Sequence, residues 1–124
     1  MPGTSFNVGD LAGDIASLNA HIVTHSLTAA INITTSGSNN FINAKKNGNT
    51  LFVDYAIYTG ASINANTKIA TVSGVTLEQS IHAAVILDDG GNTRIMMNTS
   101  GEIYVEKAVA NGKWIAGSLV GLIA

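Results

Sequence analysis

From Leu27 to the end of the chain, apolar residues alternate with polar ones or gather in short runs, and Gly, Asn and Asp interrupt them about every ten residues. Runs of that length suit strands, and so many of them in succession point to an antiparallel sandwich or barrel of about eight or nine strands. Ala29 to Thr34 reads as the first. Phe41 to Lys46 and Thr50 to Tyr58 flank Asn47-Gly48-Asn49, a hairpin signal because Asn and Gly accept the positive φ that such turns require. Lys68 to Val72, Ile81 to Leu87, Thr93 to Met97, Glu102 to Lys107 and Lys113 to Ala124 follow. Ile81 to Leu87 is almost wholly apolar, which predicts a strand covered on both faces.

Along Thr50 to Tyr58, Leu51, Val53, Tyr55 and Ile57 point one way, and Phe52, Asp54, Ala56 and Tyr58 the other. One face is therefore core and the second is partly apolar. Asp54 interrupts that second face and needs either a hydrogen-bond partner or a neighbouring subunit. Ala61 and Ile63 are expected to tuck inward from the loop that follows. Met96-Met97 and the glycines from Gly117 to Gly121 suggest adaptable packing and close backbone approach, as near a subunit axis.

Ahead of the β region the period changes. Val8, Leu11, Ile15, Leu18 and Ile22 recur at spacings of three and four, one stripe of a helix from Asn7 to His25. Asn7 can cap it, Asp10 suits the positive end of its dipole, and Phe6 with Leu11 forms a hydrophobic staple. Gly9 and Gly13 cost roughly 1 kcal/mol each against Ala, and a helix of about sixteen residues is marginal alone in water. It needs a partner. The stripe is as narrow as a coiled-coil seam, so the expectation is an oligomerisation stalk formed with other copies. The rival is a helix laid on its own β domain. Residues 1–6 then read as a leader or disordered tail, 7–26 as a helical stalk and 27–124 as a β-sandwich head. His21 and His25 are four apart, but two histidines do not make a metal site, and no metal is expected.

With 124 residues the chain suits one head domain, large enough to bury a core without staples. Six Lys plus Arg against eight Asp plus Glu give a net charge of −2 with no basic run, which argues against nucleic acid as a partner. The chain has no cysteine, so disulfides, thiol nucleophiles and thiolate metal sites are excluded. No stretch approaches the ~18 apolar residues of a spanning helix, and no membrane insertion is expected.

Catalytic constellations are scarce. No nucleophile elbow, zinc-protease helix, phosphate loop or dinucleotide fingerprint occurs, and the acids are too scattered to pair as in a glycosidase. The expectation is a protein without catalytic activity or cofactor. A saccharide site is easier to build, because C–H faces stack on aromatic rings while hydroxyls bond planar polar groups. Candidates are Tyr58, His82, Asp88, Arg94, Tyr104 and Trp114. Each has a plainer role open to it: His82 as a satisfied core or interface histidine, Asp88 with Asp89 as turn formers, Arg94 as a solvent-facing strand residue or the cross-hairpin partner of Glu102, and Trp114 as a core or interface anchor.

Three stretches together resemble the receptor-binding heads of phage baseplate and tail-fibre proteins, particularly from siphophages of Gram-positive bacteria. They are Ala44-Lys45-Lys46-Asn47-Gly48-Asn49-Thr50-Leu51-Phe52-Val53, Thr67-Lys68-Ile69-Ala70-Thr71-Val72-Ser73-Gly74, and Ser100-Gly101-Glu102-Ile103-Tyr104 with Asn111-Gly112-Lys113-Trp114-Ile115-Ala116-Gly117-Ser118. The likeness runs from about residue 40 to the end. Such heads often carry proline after the second stretch, whereas here Gly74-Val75-Thr76-Leu77 follows. The resemblance implies a homotrimer of jelly-roll-like heads on a stalk, located in the virion and assembled in the host cytoplasm. It also implies binding to cell-wall polysaccharide or teichoic acid and contact with other baseplate or tail proteins. A structural trimerisation or assembly module without glycan binding is the alternative.

Overall fold

A computed structural model describes residues 24–88 and 90–124. Among them the chain is all-β, with nine antiparallel strands in two sheets. Sheet A runs in the order β1 (His25–Leu27), β3 (Phe41–Asn47), β4 (Thr50–Tyr58) and β9 (Trp114–Leu122). Sheet B runs β2 (Ala29–Ile31), β5 (Thr67–Val72), β8 (Glu102–Val105), β7 (Asn92–Met97) and β6 (Ile81–Ile86). Thr28 alone separates β1 from β2, so one stretch of chain passes from the edge of sheet A to the edge of sheet B. At the opposite flank β6 lies beside β9. Strands β5 to β8 have the connectivity of a Greek key.

The alternation in the sequence becomes burial. On β4, Leu51, Val53, Tyr55 and Ile57 are buried and meet Val72, Ile95, Met97, Ile103 and Val105 from sheet B. Each of the Leu, Ile, Val and Met side chains contributes about 1.5–3 kcal/mol by leaving water. The first hairpin closes where Asn47 pairs with Thr50 around Gly48-Asn49, and Gly48 takes φ 59°. At Gly101, with φ 88°, an added Cβ would lie 2.2 Å from the Val72 carbonyl oxygen, so only glycine fits. Among the described residues Thr93 and Thr59 are the buried polar ones, and each hydroxyl both donates and accepts: Thr93 with the backbone of Lys107, Thr59 with Ala110 and Lys113.

Four expectations need correction or relocation. His25 belongs to β1 and pairs with Lys46, so the helical reading of its last residues does not hold; the register with β3 gives their backbone sheet partners instead. The stripe Val8 to Ile22 lies outside the described residues. Strand β6 is covered on one face only: His82, Ala84 and Ile86 point to solvent, Ile86 with 81% of its surface exposed. It is an edge strand, and no strand of the described residues lies outside it. Of the two loop residues expected inward, Ile63 is buried and bridges Val109, whereas Ala61 is exposed.

Close approach at the β9 glycines is found, and it is made by side chains of the same chain. A Cβ on Gly117 would stand 3.0 Å from the Tyr55 hydroxyl oxygen, and one on Gly121 would stand 3.1 Å from Ile81 Cδ1. The Tyr55 hydroxyl is buried without a hydrogen-bond partner. Burial pushes its pKa up to about 12.

Candidate functional site

The outward residues of sheet B form one surface, its polar side chains interrupted by Ala84, Ile86 and Met96. Register sets its rows: His82 is opposite Met96 and Met96 opposite Tyr104, with Lys68 on β5 beyond; Ala84 is opposite Arg94. Just past the end of β8, the Glu106 N–H donates to the Arg94 carbonyl at 2.7 Å, which brings the Glu106 side chain onto the same face.

There Glu106 ties the cluster together. Its Oε2 accepts from Arg94 Nε at 2.7 Å and also from Arg94 Nη2, while Oε1 stands 2.7 Å from His82 Nδ1. The Arg94 hydrogen bond holds the carboxyl below the ordinary carboxylate range; desolvation opposes this, and His82 adds a smaller downward pull. Beside this cluster, Lys107 Nζ donates to Asn92 Oδ1 at 3.1 Å. A depression of about 420 Å³ lies over Ala84, Arg94, Asn92 and Lys107. The small Ala84 side chain leaves the gap, and the buried Thr93 hydroxyl fixes the Lys107 backbone at its rim.

Arg94 and His82 keep 59% and 50% of their side-chain surface exposed. Their outer edges are therefore free for a ligand while Glu106 orients their inner ones. The face offers planar donors, a carboxylate and the half-buried Tyr104 ring, the combination that polyhydroxylated molecules engage. Both carboxyls on it are pulled down, Glu102 chiefly by a hydrogen bond from Asn98 and then by Lys68. A general acid working near neutral pH needs the opposite shift.

The six residues named from sequence do not converge. His82, Arg94 and Tyr104 share the outer face of sheet B. Asp88 is exposed in the turn beyond the Ile86–Asn92 pair. Tyr58 and Trp114 are paired across β4 and β9 on the outer face of sheet A, with ring centroids 5.0 Å apart and planes tilted by 56°. Arg94 pairs with Glu106 and not with Glu102, because the β7–β8 register sets Met96 against Tyr104 and so shifts Glu102 to Asn98 and Lys68. Asp54 is exposed and accepts from the Ser118 hydroxyl at 2.6 Å. Glu106, Asn92 and Lys107 are absent from the residues the sequence singles out. The signal for Glu106 is parity, since it stands two positions after Tyr104.

No protein-family model matches the chain, and no curated protein matches it.

Proposed function

We propose that the protein is the receptor-binding head of a phage baseplate or tail fibre, attaching as a homotrimer to saccharide on the cell wall of a Gram-positive host. In this reading the two sheets form a jelly-roll-like head, residues 8–22 join three copies, and the outer face of sheet B holds the sugar. The observation that carries it is the His82–Glu106–Arg94 cluster beside Tyr104, polar groups fixed from within and open outward. The site is shallow and its contacts are few, so affinity per head is low. Three heads on one stalk supply attachment through avidity.

A titration of the full chain against purified cell-wall polysaccharide and teichoic acid tests the reading. Arg94→Ala or Tyr104→Ala is expected to weaken binding per site by roughly tenfold or more, the effect of losing a charge-assisted bond or a stacking face. The apolar outer face of sheet A favours a second reading, a trimerisation or assembly module that binds no glycan. Tight binding to another virion protein, with no binding to any host surface, would select that one.

A further inference from the structure

Sheet A has an outer face of a different kind. Of the five large apolar side chains that stay exposed among the described residues, four lie on it: Phe41 (42%), Phe52 (43%), Val120 (57%) and Leu122 (53%). Register makes Phe52 and Val120 neighbours, and a polar row separates Phe41 from them. Lys45, Phe52 and Val120 form one row across β3, β4 and β9; Asn43, Asp54 and Ser118 form the next; Phe41, Ala56 and Ala116 form a third. Leu122 follows Val120 by two residues on β9 and so faces the same way. Soluble monomers rarely leave such a patch to water.

Two charges stand within it. Neither Lys45 nor Asp54 meets an opposite charge among the described residues, and Asp54 is held only by the Ser118 hydroxyl. Both are exposed and, although register sets them diagonally across β3 and β4, they form no ion pair with each other, which leaves each open to the opposite charge on a neighbouring copy.

The position where the chain enters the sheet points to the same occupant. His25, Lys46, Leu51 and Gly121 form a row across sheet A, so Thr24 enters at the end that carries Leu122, and 23 residues precede it. In the sequence those residues space Val8, Leu11, Ile15, Leu18 and Ile22 by threes and fours, and copies joined there, as the proposed function has it, would meet at the end of sheet A where Phe52, Val120 and Leu122 lie.

We infer that the outer face of sheet A packs against a neighbouring copy of this chain, burying Phe52, Val120 and Leu122 and setting Lys45 of one copy against Asp54 of the next. The inference deepens the multivalent-head reading and rests on it only for the joining of copies by residues 8–22.

Sedimentation equilibrium of the full chain at micromolar concentration tests it. The wild-type chain is expected to be oligomeric. Phe52→Lys with Val120→Lys should weaken association by roughly a hundredfold, since lysines replace a desolvated apolar centre, while circular dichroism retains the β spectrum. Lys45→Glu and Asp54→Lys should each weaken it, and their combination should restore it. The charge pair decides the matter if the double lysine variant fails to fold.

Three results would overturn the inference: a monomeric wild-type chain, as when residues 8–22 cover the face within one molecule; undiminished association of Phe52→Lys/Val120→Lys, as when another protein takes the face; or no recovery in the charge swap. Loss of all saccharide binding with these masses unchanged would sink the sugar site and leave this surface standing.

Discussion

On the outer face of sheet B each lysine and arginine has a partner: Arg94 and His82 share Glu106, Lys68 has Glu102, and Lys107 has Asn92. On the outer face of sheet A, Lys45 and Asp54 stand without an opposite charge among the described residues, between Phe41, Phe52, Val120 and Leu122. The two faces share one core and one pleat. The core therefore cannot account for their difference, and the proposals above assign it to what each face meets outside the chain. A face whose charges are satisfied at home can stay in water and offer its outer edges to a small polar ligand. A face with unpaired charge and exposed aromatic surface is of the kind that interaction sites use.

The inner faces should behave alike, and that sharpens the contrast outside. Leu51→Ala in sheet A and Ile103→Ala in sheet B both remove fully buried side chains, and each is expected to cost about 2–5 kcal/mol in denaturant unfolding. A small cost at only one of them would mean that the sheets do not share a core.

A smaller effect separates the outer faces. Val120→Lys should raise the dissociation constant between copies by roughly tenfold, yet change the unfolding free energy of the separated chain by no more than about 0.5 kcal/mol. Arg94→Ala should leave association untouched and weaken saccharide binding. Exchange of these two outcomes would reverse the assignment of the faces.

pH offers a further handle on sheet B. Glu106 titrates below the ordinary 4.5 in the folded chain, chiefly because Arg94 donates to it. A carboxyl depressed on folding stabilises the fold fully above its unfolded value and ceases to do so as pH falls through its folded midpoint. The carboxyl carbon of Glu106, followed by NMR, should titrate below 4.5 in the wild-type chain and move upward in Arg94→Ala. No movement would show that Arg94 does not hold it.

Tyr55→Phe should have the least effect, within about 1 kcal/mol of neutral, because the hydroxyl removed is buried and has no partner. Its raised pKa works in the alkaline range. Because burial disfavours the phenolate, the folded chain is unaffected below the free phenol value of 10.0 and is destabilised as pH rises toward about 12. Phenolate absorbance should show one late step that Tyr55→Phe abolishes.

Much of the fold is legible in the sequence because alternation and turn chemistry are local. Asn47-Gly48-Asn49 marks its hairpin, and Leu51, Val53, Tyr55 and Ile57 reveal the core side of β4. Strand β6 misleads for a physical reason: Ala83 and Ala84 read as equally apolar, and only the layer order shows that no described strand lies outside Ala84. Half of the candidate site is legible as residue types, but its members are sorted by register. His82, Arg94 and Tyr104 fall together, whereas Tyr58 and Trp114 fall on the opposite sheet. Glu106, which orients two of them, lies beyond the strand that positions it, and its role depends on a β7–β8 alignment that no local motif announces.

Hydroxyl-radical footprinting of the full chain, with and without cell-wall saccharide, reads both outer faces in one experiment. Phe52 and Leu122, about half exposed in the single chain, should be protected before any saccharide is added. His82, Met96 and Tyr104 should react freely and become protected only when it is present. Reactive Phe52 and Leu122 in the free protein, or saccharide protection on sheet A in place of sheet B, would contradict the division of labour between the two faces.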